Sequence, residues 1–233
     1  MFAVKNGFRI KQVMVGLRLV MLSAFFLTLV IDTANSQEPR NYVLVHGSWV
    51  GEWYWAPIVK GLEEHGHSAY AISLKGHGKR ISEGGPEVTI EDHIQDIVTV
   101  VEDNDLSQII LVSHSYGGKP ATGAWDRLRD RISNVVYIEA VTPIDDDPVA
   151  IRPDTRSLKV VMTLYPDWAD KGMIPVGPHI REEDGKLLAP QSFKSAYGKV
   201  ELKNGILPKT PGTYIVAKDS SAKVFRKFAD HMH

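Results

Sequence analysis

The 233-residue chain contains no cysteine. This absence excludes disulfide bonds and metal–thiolate sites, although it is compatible with an oxidising compartment. An excess of charge of one sign is also missing, since 27 Lys and Arg residues oppose 28 Asp and Glu residues and the net charge is −1. Such a balance gives no general attraction to nucleic acid or to an anionic membrane. The expected partner is therefore a small neutral molecule.

Residues 1–36 contain an apolar run that is too short to span a bilayer. Basic residues precede the 12-residue run Leu19–Val30, whereas a transmembrane helix needs about 20 apolar residues. The small residues of Ala34–Ser36 suit cleavage by a signal peptidase. We expect residues 1–36 to be a signal peptide and residues 37–233 to form a secreted or periplasmic domain, without a stable membrane anchor after cleavage. An uncleaved anchor is the alternative.

The rest of the chain alternates short apolar runs with helical patterns. With 43% hydrophobic and 24% charged residues, the whole 233-residue chain has the composition of an ordinary globular protein, and one domain is expected. Several runs lack polar alternation, which is typical of strands covered by helices on both faces of a parallel sheet. The five predicted strands are Tyr42–Val45, His67–Ile72, Gln108–Val112, Asn134–Ile138 and Thr213–Val216.

Two stripes of apolar residues at helical spacing lie between these strands, and both are expected to face the core. The first ends before Gly66, which suits a left-handed residue at a helix end. The second begins at Thr89, and Asp92 three residues later resembles a capping box. The stripes consist of Trp55, Ile58, Val59 and Leu62, and of Ile90, Ile94, Ile97, Val98 and Val101. This alternation predicts a doubly wound α/β fold with a mostly parallel sheet.

The alternation stops between Asp145 and Pro208, where Pro, Gly and charged residues accumulate. No strand signal interrupts this segment, and it is too long for a plain connection. We therefore expect a cap, inserted at about residues 145–208, that contains short helices and covers the carboxyl edge of the sheet.

The stretch LVSHSYGGKP, residues 111–120, places Ser115 between a buried strand and a predicted helix. Such a turn holds the serine side chain in the crevice at the carboxyl end of the sheet. The bend needs small residues two positions before and two after the serine, and Ser113 and Gly117 meet this requirement. The unpaired N–H groups of the following helix favour the negative charge that develops in acyl transfer. A phosphate-binding turn is the alternative, but neither GxGxxG nor GxxxxGK[ST] is present.

A second anion-binding element is predicted where the first strand ends, at His46 and Gly47. Glycine lets the backbone approach a ligand closely, so the main-chain N–H of Ser48 can point into the crevice beside that of Tyr116. These two N–H groups form the predicted oxyanion hole. An ordinary turn is the alternative interpretation. His46 is expected to orient the loop, and His114 points the wrong way along the chain to act as a base.

With these motifs the chain resembles the α/β-hydrolase superfamily, and within it a group of small esterases. That group includes plant methylesterases, bacterial pyrethroid-hydrolase-like and salicylate-esterase-like proteins, and hydroxynitrile lyases. The likeness is clear from Asn41 to about Thr142 and looser beyond. It rests on VLVHGSWVGEWYW, LEEHGHSAYAISLKGHGKR, IILVSHSYGG and VVYIEAVTP, with a weaker similarity in YPDWAD.

The resemblance implies a serine-dependent carboxylic-ester hydrolase that acts on a small ester through an acyl-enzyme on Ser115, without a metal or cofactor. It assigns the oxyanion hole to Ser48 and Tyr116, and it places the acid that orients the histidine at Asp219. A solvated loop residue or a helix cap is the alternative for Asp219. In the family the catalytic histidine follows one further strand, so it is expected beyond His233 and the chain is expected to be truncated.

Two further hypotheses remain open. A hydroxynitrile lyase uses the same fold, but that branch has a threonine at the position of Gly47. A noncatalytic ligand-binding relative would keep the pocket without the histidine, because His231 and His233 come too early for the base and His179 lies in the predicted cap. The sequence predicts neither the acyl and alcohol groups of a substrate nor the oligomeric state.

Overall fold

A computed structural model describes residues 38–142, 155–177, 186–204 and 210–218. The predicted signal peptide lies outside the described residues. The strands are β1 (Asn41–Val45), β2 (Ser68–Ile72), β3 (Ile109–His114), β4 (Ile132–Ile138), β5 (Met173–Ile174), β6 (Gln191–Ser192) and β7 (Gly212–Ile215). The helices are α1 (Ala56–Glu64), α2 (Ile90–Asp103), α3 (Gly118–Arg127), α4 (Thr155–Leu164), α5 (Pro166–Ala169) and α6 (Phe193–Ala196). Three 3₁₀ turns cover Glu52–Trp55, Gly78–Glu83 and Ser115–Gly117.

Five parallel strands form the central sheet in the order β2-β1-β3-β4-β7. The five strands predicted from the apolar runs are therefore confirmed, with each end within two residues of its predicted place. The register aligns Val45 at the end of β1 with Ser113 in β3, and Ser113 with Tyr137 in β4. Because the strands are parallel, the loops that follow β1, β3 and β4 leave the same edge of the sheet.

Helices cover both faces of the sheet, which confirms the doubly wound α/β fold. On one face Val43 and Val45 pack with buried residues of α2 and α3. On the other face Leu44 packs with Trp55 and with the partly buried side chains of α1. Successive residues of β1 thus alternate between two apolar layers, as the period of a strand requires.

The α2 stripe is confirmed, whereas the α1 stripe is correct only in part. All five apolar residues of the α2 stripe are buried, and Thr89 and Asp92 form the predicted capping box. In α1, Ile58 is 49% exposed, so its predicted core position is wrong. Ile58 lies at the margin of a stripe centred on Val59 and Leu62, and the helix rests on the sheet along that centre only. Gly66 has the left-handed φ of 80° expected at a helix end.

The segment assigned to a cap contains the short helices α4, α5 and α6, as expected, and also a strand pair that was not predicted. Met173 and Ile174 pair antiparallel with Ser192 and Gln191. Two residues are too few to show the alternation by which a strand is recognised in a sequence. The limits of the cap remain a prediction. No helix within the described residues is long and apolar enough to cross a membrane.

Candidate active site

Ser115 lies at the sharp bend between β3 and α3. Its φ of 51° is in the left-handed region that a residue with a side chain rarely adopts. A Cβ on Gly117 would lie 2.5 Å from the carbonyl oxygen of His46 and 2.8 Å from that of Val45, so only glycine is accommodated there without movement. Ser113 is 1% exposed within β3. The structure therefore gives a steric reason for a small residue at 117.

The bend is held from the neighbouring strand as well. The main-chain N–H of Val141, just beyond β4, donates to the carbonyl oxygen of Ser115 at 2.9 Å. A Cβ on Gly118 would lie 2.2 Å from the carbonyl oxygen of Val141. Strain of this kind persists only where the surroundings over-determine the backbone, and these contacts provide that constraint.

The loop after β1 meets the Ser115 bend directly. A Cβ on Gly47 would lie 3.1 Å from the Cβ of Ser115 and 3.2 Å from Nδ1 of His114. Ser48 follows Gly47, and Tyr116 follows Ser115 in the first turn of a helical segment, where N–H groups have no intrahelical acceptor. The fold thus brings together the two chain segments that carry the predicted oxyanion donors.

His46 ties the β1 loop to the end of β2. Its side chain is fully buried, and the main-chain N–H of Leu74 donates to Nε2 at 3.2 Å. The other nitrogen, Nδ1, lies 2.8 Å from the carbonyl oxygen of Gly47 and must therefore carry the proton that it donates. Burial, followed by the neighbouring His77, lowers the pKa of His46 to about 3. His46 is a neutral side chain whose two nitrogens hold the loop, which agrees with the expected orienting role.

Two further buried histidines continue from His46 toward α2. The ring centroids of His46 and His77 are 5.5 Å apart, and those of His77 and His93 are 5.7 Å apart. Burial lowers the pKa of His77 to about 4 and that of His93 to about 3, so both rings are neutral near pH 7. Nε2 of His93 donates to the carbonyl oxygen of Lys75 at 3.0 Å, which leaves Nδ1 to accept from the Tyr116 hydroxyl at 2.8 Å.

The described residues contain no group of three or more histidine, aspartate or glutamate side chains arranged to hold a metal ion. In the row of three histidines, both nitrogens of His46 and both of His93 already have protein partners. Their arrangement therefore suits fixing the loops better than binding an ion.

His114 and Glu139 lie at the carboxyl edge of the sheet beside the bend. The His114 ring stacks on Tyr54 at 5.2 Å, and burial lowers its pKa while Glu139 acts in the opposite direction. Glu139 follows β4 with a φ of 42°, and its Oε1 accepts a hydrogen bond from the N–H of Ala217 at 3.1 Å. No sequence motif pointed to Glu139. Its left-handed backbone has no signal in the residue type, because glutamate has no preference for that region.

Two tryptophans, one in the loop after β1 and one in the 3₁₀ turn that follows it, contact the predicted cap. Trp49 has a φ of 70°, and its carbonyl oxygen accepts from the N–H of Ala189 at 2.9 Å. The ammonium of Lys186 lies 5.1 Å from the centre of the Trp53 ring, within the range of a cation–π contact. Residues 186–189 therefore lie against the loop that carries Ser48.

The remaining predicted site residues cannot be placed. Asp219, His179, His231 and His233 lie outside the described residues. Of the described histidines close to the bend in the chain or in the β1 loop, His46 is buried in the loop and His114 stacks on Tyr54. The identity of the catalytic histidine stays a prediction.

A bend of this kind after the third parallel strand, facing a glycine loop after the first, defines the α/β-hydrolase class. Residues 42–231 match the alpha/beta hydrolase family, and the chain belongs to that family. Several of the matched curated proteins are esterases by name, and two are named norfluorocurarine synthases. A carbendazim hydrolyzing esterase from Nocardioides sp. (strain SG-4G) is 38% identical over 50% of this chain and 51% of its own length. Methylesterase 9 from Arabidopsis thaliana is 34% identical over 47% of this chain and 43% of its own length. The chain spans about half the length of these relatives.

Solved structures agree with this assignment. An extracellular alpha/beta-hydrolase from a Paenibacillus species, described as sharing structural and functional homology with tobacco salicylic acid binding protein 2, superposes with a TM-score of 0.64. It is 26% identical, and the match covers 79% of this chain and 80% of that one. Polyneuridine aldehyde esterase, at 19% identity and a TM-score of 0.57 over 82% and 88% of the two chains, shares the fold.

Proposed function

We propose that the protein is a serine-dependent carboxylic-ester hydrolase that acts on a small ester through an acyl-enzyme on Ser115. The observation that carries the proposal is the left-handed Ser115 at the bend, beside the glycine of the β1 loop, where a Cβ on Gly47 would lie 3.1 Å from the Cβ of Ser115. A backbone strain of this kind costs free energy and is typical of functional sites. The esterase names of the matched relatives support the same reaction class.

In this reaction the Ser115 hydroxyl attacks the acyl carbon, and its proton passes to a histidine that acts as general base. The carbonyl oxygen becomes negatively charged and accepts hydrogen bonds from the main-chain N–H groups of Ser48 and Tyr116. Collapse of this intermediate breaks the ester bond, and the histidine returns the proton to the departing alcohol. A water molecule then attacks the acyl-enzyme by the same route and releases the carboxylic acid. Asp219 is the proposed partner that orients the histidine.

Methyl esters of small acids are the first substrates to test, because methylesterases are among the matched relatives. The proposal includes secretion after removal of residues 1–36, because basic residues precede the short apolar run Leu19–Val30 and small residues follow it at Ala34–Ser36.

A serine-reactive fluorophosphonate probe tests the nucleophile. We expect the full-length protein to be labelled at Ser115 and to hydrolyse small esters. The Ser115→Ala variant should lose labelling and should lose hydrolysis by about 10⁶-fold, the loss seen when a triad serine is removed. Ser107→Ala removes an exposed hydroxyl before β3 and is the matched control, with labelling unchanged. An unlabelled full-length protein that still binds small esters would indicate a noncatalytic binder instead.

The hydroxynitrile-lyase alternative receives no support from the geometry. A Cβ at position 47 would lie 3.1 Å from the Cβ of Ser115, so a threonine like the one in that branch would require the bend to shift by a few tenths of an ångström. Release of cyanide from mandelonitrile above the uncatalysed rate would reinstate this activity.

A further inference from the structure

One segment of the predicted cap contacts both sides of the proposed oxyanion hole. We call residues 189–198 the brace. At its start, the N–H of Ala189 donates to the carbonyl oxygen of Trp49, the residue after Ser48. Near its end, the carbonyl oxygen of Ser195 lies 3.3 Å from the hydroxyl of Tyr116, whose one proton points mainly to Nδ1 of His93 at 2.8 Å, so the contact with Ser195 is the weaker of the two. The brace therefore runs from the neighbour of one proposed donor to the side chain of the other.

Lys119 fastens the end of the brace to the helix that follows Ser115. Its Nζ donates to the carbonyl oxygen of Ala196 at 2.7 Å and to that of Gly198 at 2.9 Å. The residue is 4% exposed, and burial lowers its pKa to about 8. A buried ammonium is costly unless its hydrogens are bonded, so the position of this lysine depends on the two carbonyl groups.

The brace is itself packed rigidly against α2 and the segment before it. The hydroxyl of Ser192 donates to the carbonyl oxygen of Val88 and accepts from the N–H of Ser195. A Cβ on Gly198 would lie 2.8 Å from Cγ2 of Ile90, which leaves no free space between the brace and α2. A movement at one end of the brace is therefore transmitted to the other, since well-packed segments do not deform continuously.

We propose that the brace fixes the separation of the Ser48 and Tyr116 N–H groups, and that Lys119 is a positioning residue for the oxyanion hole. The inference rests on the proposed ester hydrolysis. Oxyanion donors must lie about 2.7–3.1 Å from the place where the negative oxygen develops. The β1 loop and the Ser115 bend belong to different connections of the sheet, and the brace contacts both of them.

Three variants test this role in the full-length enzyme. Lys119→Met removes the ammonium with little change in volume, Lys119→Arg restores donors at the same place, and Tyr116→Phe removes the hydroxyl but keeps the main-chain N–H. For Lys119→Met and Tyr116→Phe we expect kcat to fall by about 10- to 100-fold with KM changed less than about threefold. Affinity for a boronic acid, which forms a tetrahedral adduct on the serine, should fall by the same factor as kcat/KM. Lys119→Arg should recover part of the lost kcat and part of the lost affinity for the boronic acid.

Lys194→Met is the matched control. It removes an exposed ion pair between Lys194, in helix α6 of the brace, and Glu87. It should leave kcat and boronic-acid affinity unchanged. Unchanged kcat and unchanged boronic-acid affinity in folded Lys119→Met and Tyr116→Phe would overturn the inference, even if Ser115 is labelled normally. An increase in KM alone, with kcat and boronic-acid affinity retained, would overturn the inference too. Failure of the native enzyme to label at Ser115 is a different result, which removes the proposed function itself.

Discussion

The two loops that meet at Ser115 are held by different means. The bend after β3 is fixed by its own backbone, since a strand enters it, a helix leaves it, and Gly117 lies against the carbonyl oxygen of His46. The loop after β1 also contains a left-handed residue, Trp49, but it is held by a buried histidine and by the Ala189 N–H. The bend depends chiefly on close contacts between backbone atoms, with one hydrogen bond from Val141 in addition, whereas the loop depends on hydrogen bonds from other parts of the chain.

This difference indicates where each loop is vulnerable. Added volume should damage the bend, because its neighbours are backbone atoms that cannot move independently. Loss of hydrogen bonds or added charge should damage the loop, because His46 must stay neutral to donate from one nitrogen and accept at the other. Three predictions, in order of decreasing effect, test this contrast.

Gly117→Ala should produce the largest effect, through sterics at the bend. The new Cβ would meet two carbonyl oxygens at 2.5 and 2.8 Å, so we expect a loss of about 3 kcal/mol in the free energy of unfolding and a loss of ester hydrolysis. Urea denaturation and steady-state kinetics measure the two quantities. Gly61→Ala is the control, since a Cβ there meets nothing within 4 Å and should stabilise α1 by about 0.5–1 kcal/mol. Equal stability changes for both variants would contradict the steric account.

Acid should lower the stability of the protein through the three buried histidines that begin at the loop after β1. The folded-state pKa values of His46, His77 and His93 are about 3, 4 and 3, whereas an unfolded histidine has a pKa of about 6.5. Between about pH 6.5 and pH 4 the unfolded chain binds more protons, so stability falls as pH decreases. Each histidine contributes up to about 1.4 kcal/mol per pH unit.

Urea denaturation at pH 7, 6 and 5 measures this slope. His77→Asn removes one of the three titrating groups and should lower their contribution to the slope by about a third. His77 suits this test because its Nε2 is buried without a hydrogen-bond partner in the described structure. If His77→Asn left the slope unchanged, His77 would not be neutral in the folded protein in this range.

Gly47→Ala should have the smallest effect on stability but a clear effect on rate. Its Cβ would lie 3.1 Å from the Cβ of Ser115, which a shift of a few tenths of an ångström relieves. We expect the free energy of unfolding to fall by about 1 kcal/mol or less. We expect kcat to fall about tenfold, because the shift moves the Ser115 hydroxyl relative to the proposed oxyanion donors. A variant with wild-type kcat would show that Gly47 is needed only for folding.

Most of the sheet and the serine bend could be predicted from the sequence, but the contacts of the cap could not. The strands follow from apolar runs, and the start of α2 follows from Thr89 and Asp92, because these signals act within a few residues. Ile58 satisfied the helical spacing and is nevertheless 49% exposed, since spacing cannot show how far a neighbouring layer extends. No sequence pattern indicated the role proposed for Lys119, because its hydrogen-bond acceptors are main-chain carbonyl groups, which every residue has.

By itself, the sequence determined the order of strands and helices and the position of the strained serine, because backbone preferences and side-chain periodicity are local. Tertiary structure alone decided that Gly47 lies beside Ser115, where an added Cβ would be 3.1 Å from the Cβ of Ser115, and that the carbonyl groups of Ala196 and Gly198 accept hydrogen bonds from the ammonium of Lys119. These contacts join residues that are far apart in the chain, and they arise when the layers pack closely enough to exclude water. Close packing, rather than any local preference, gives the two loops at Ser115 their positions.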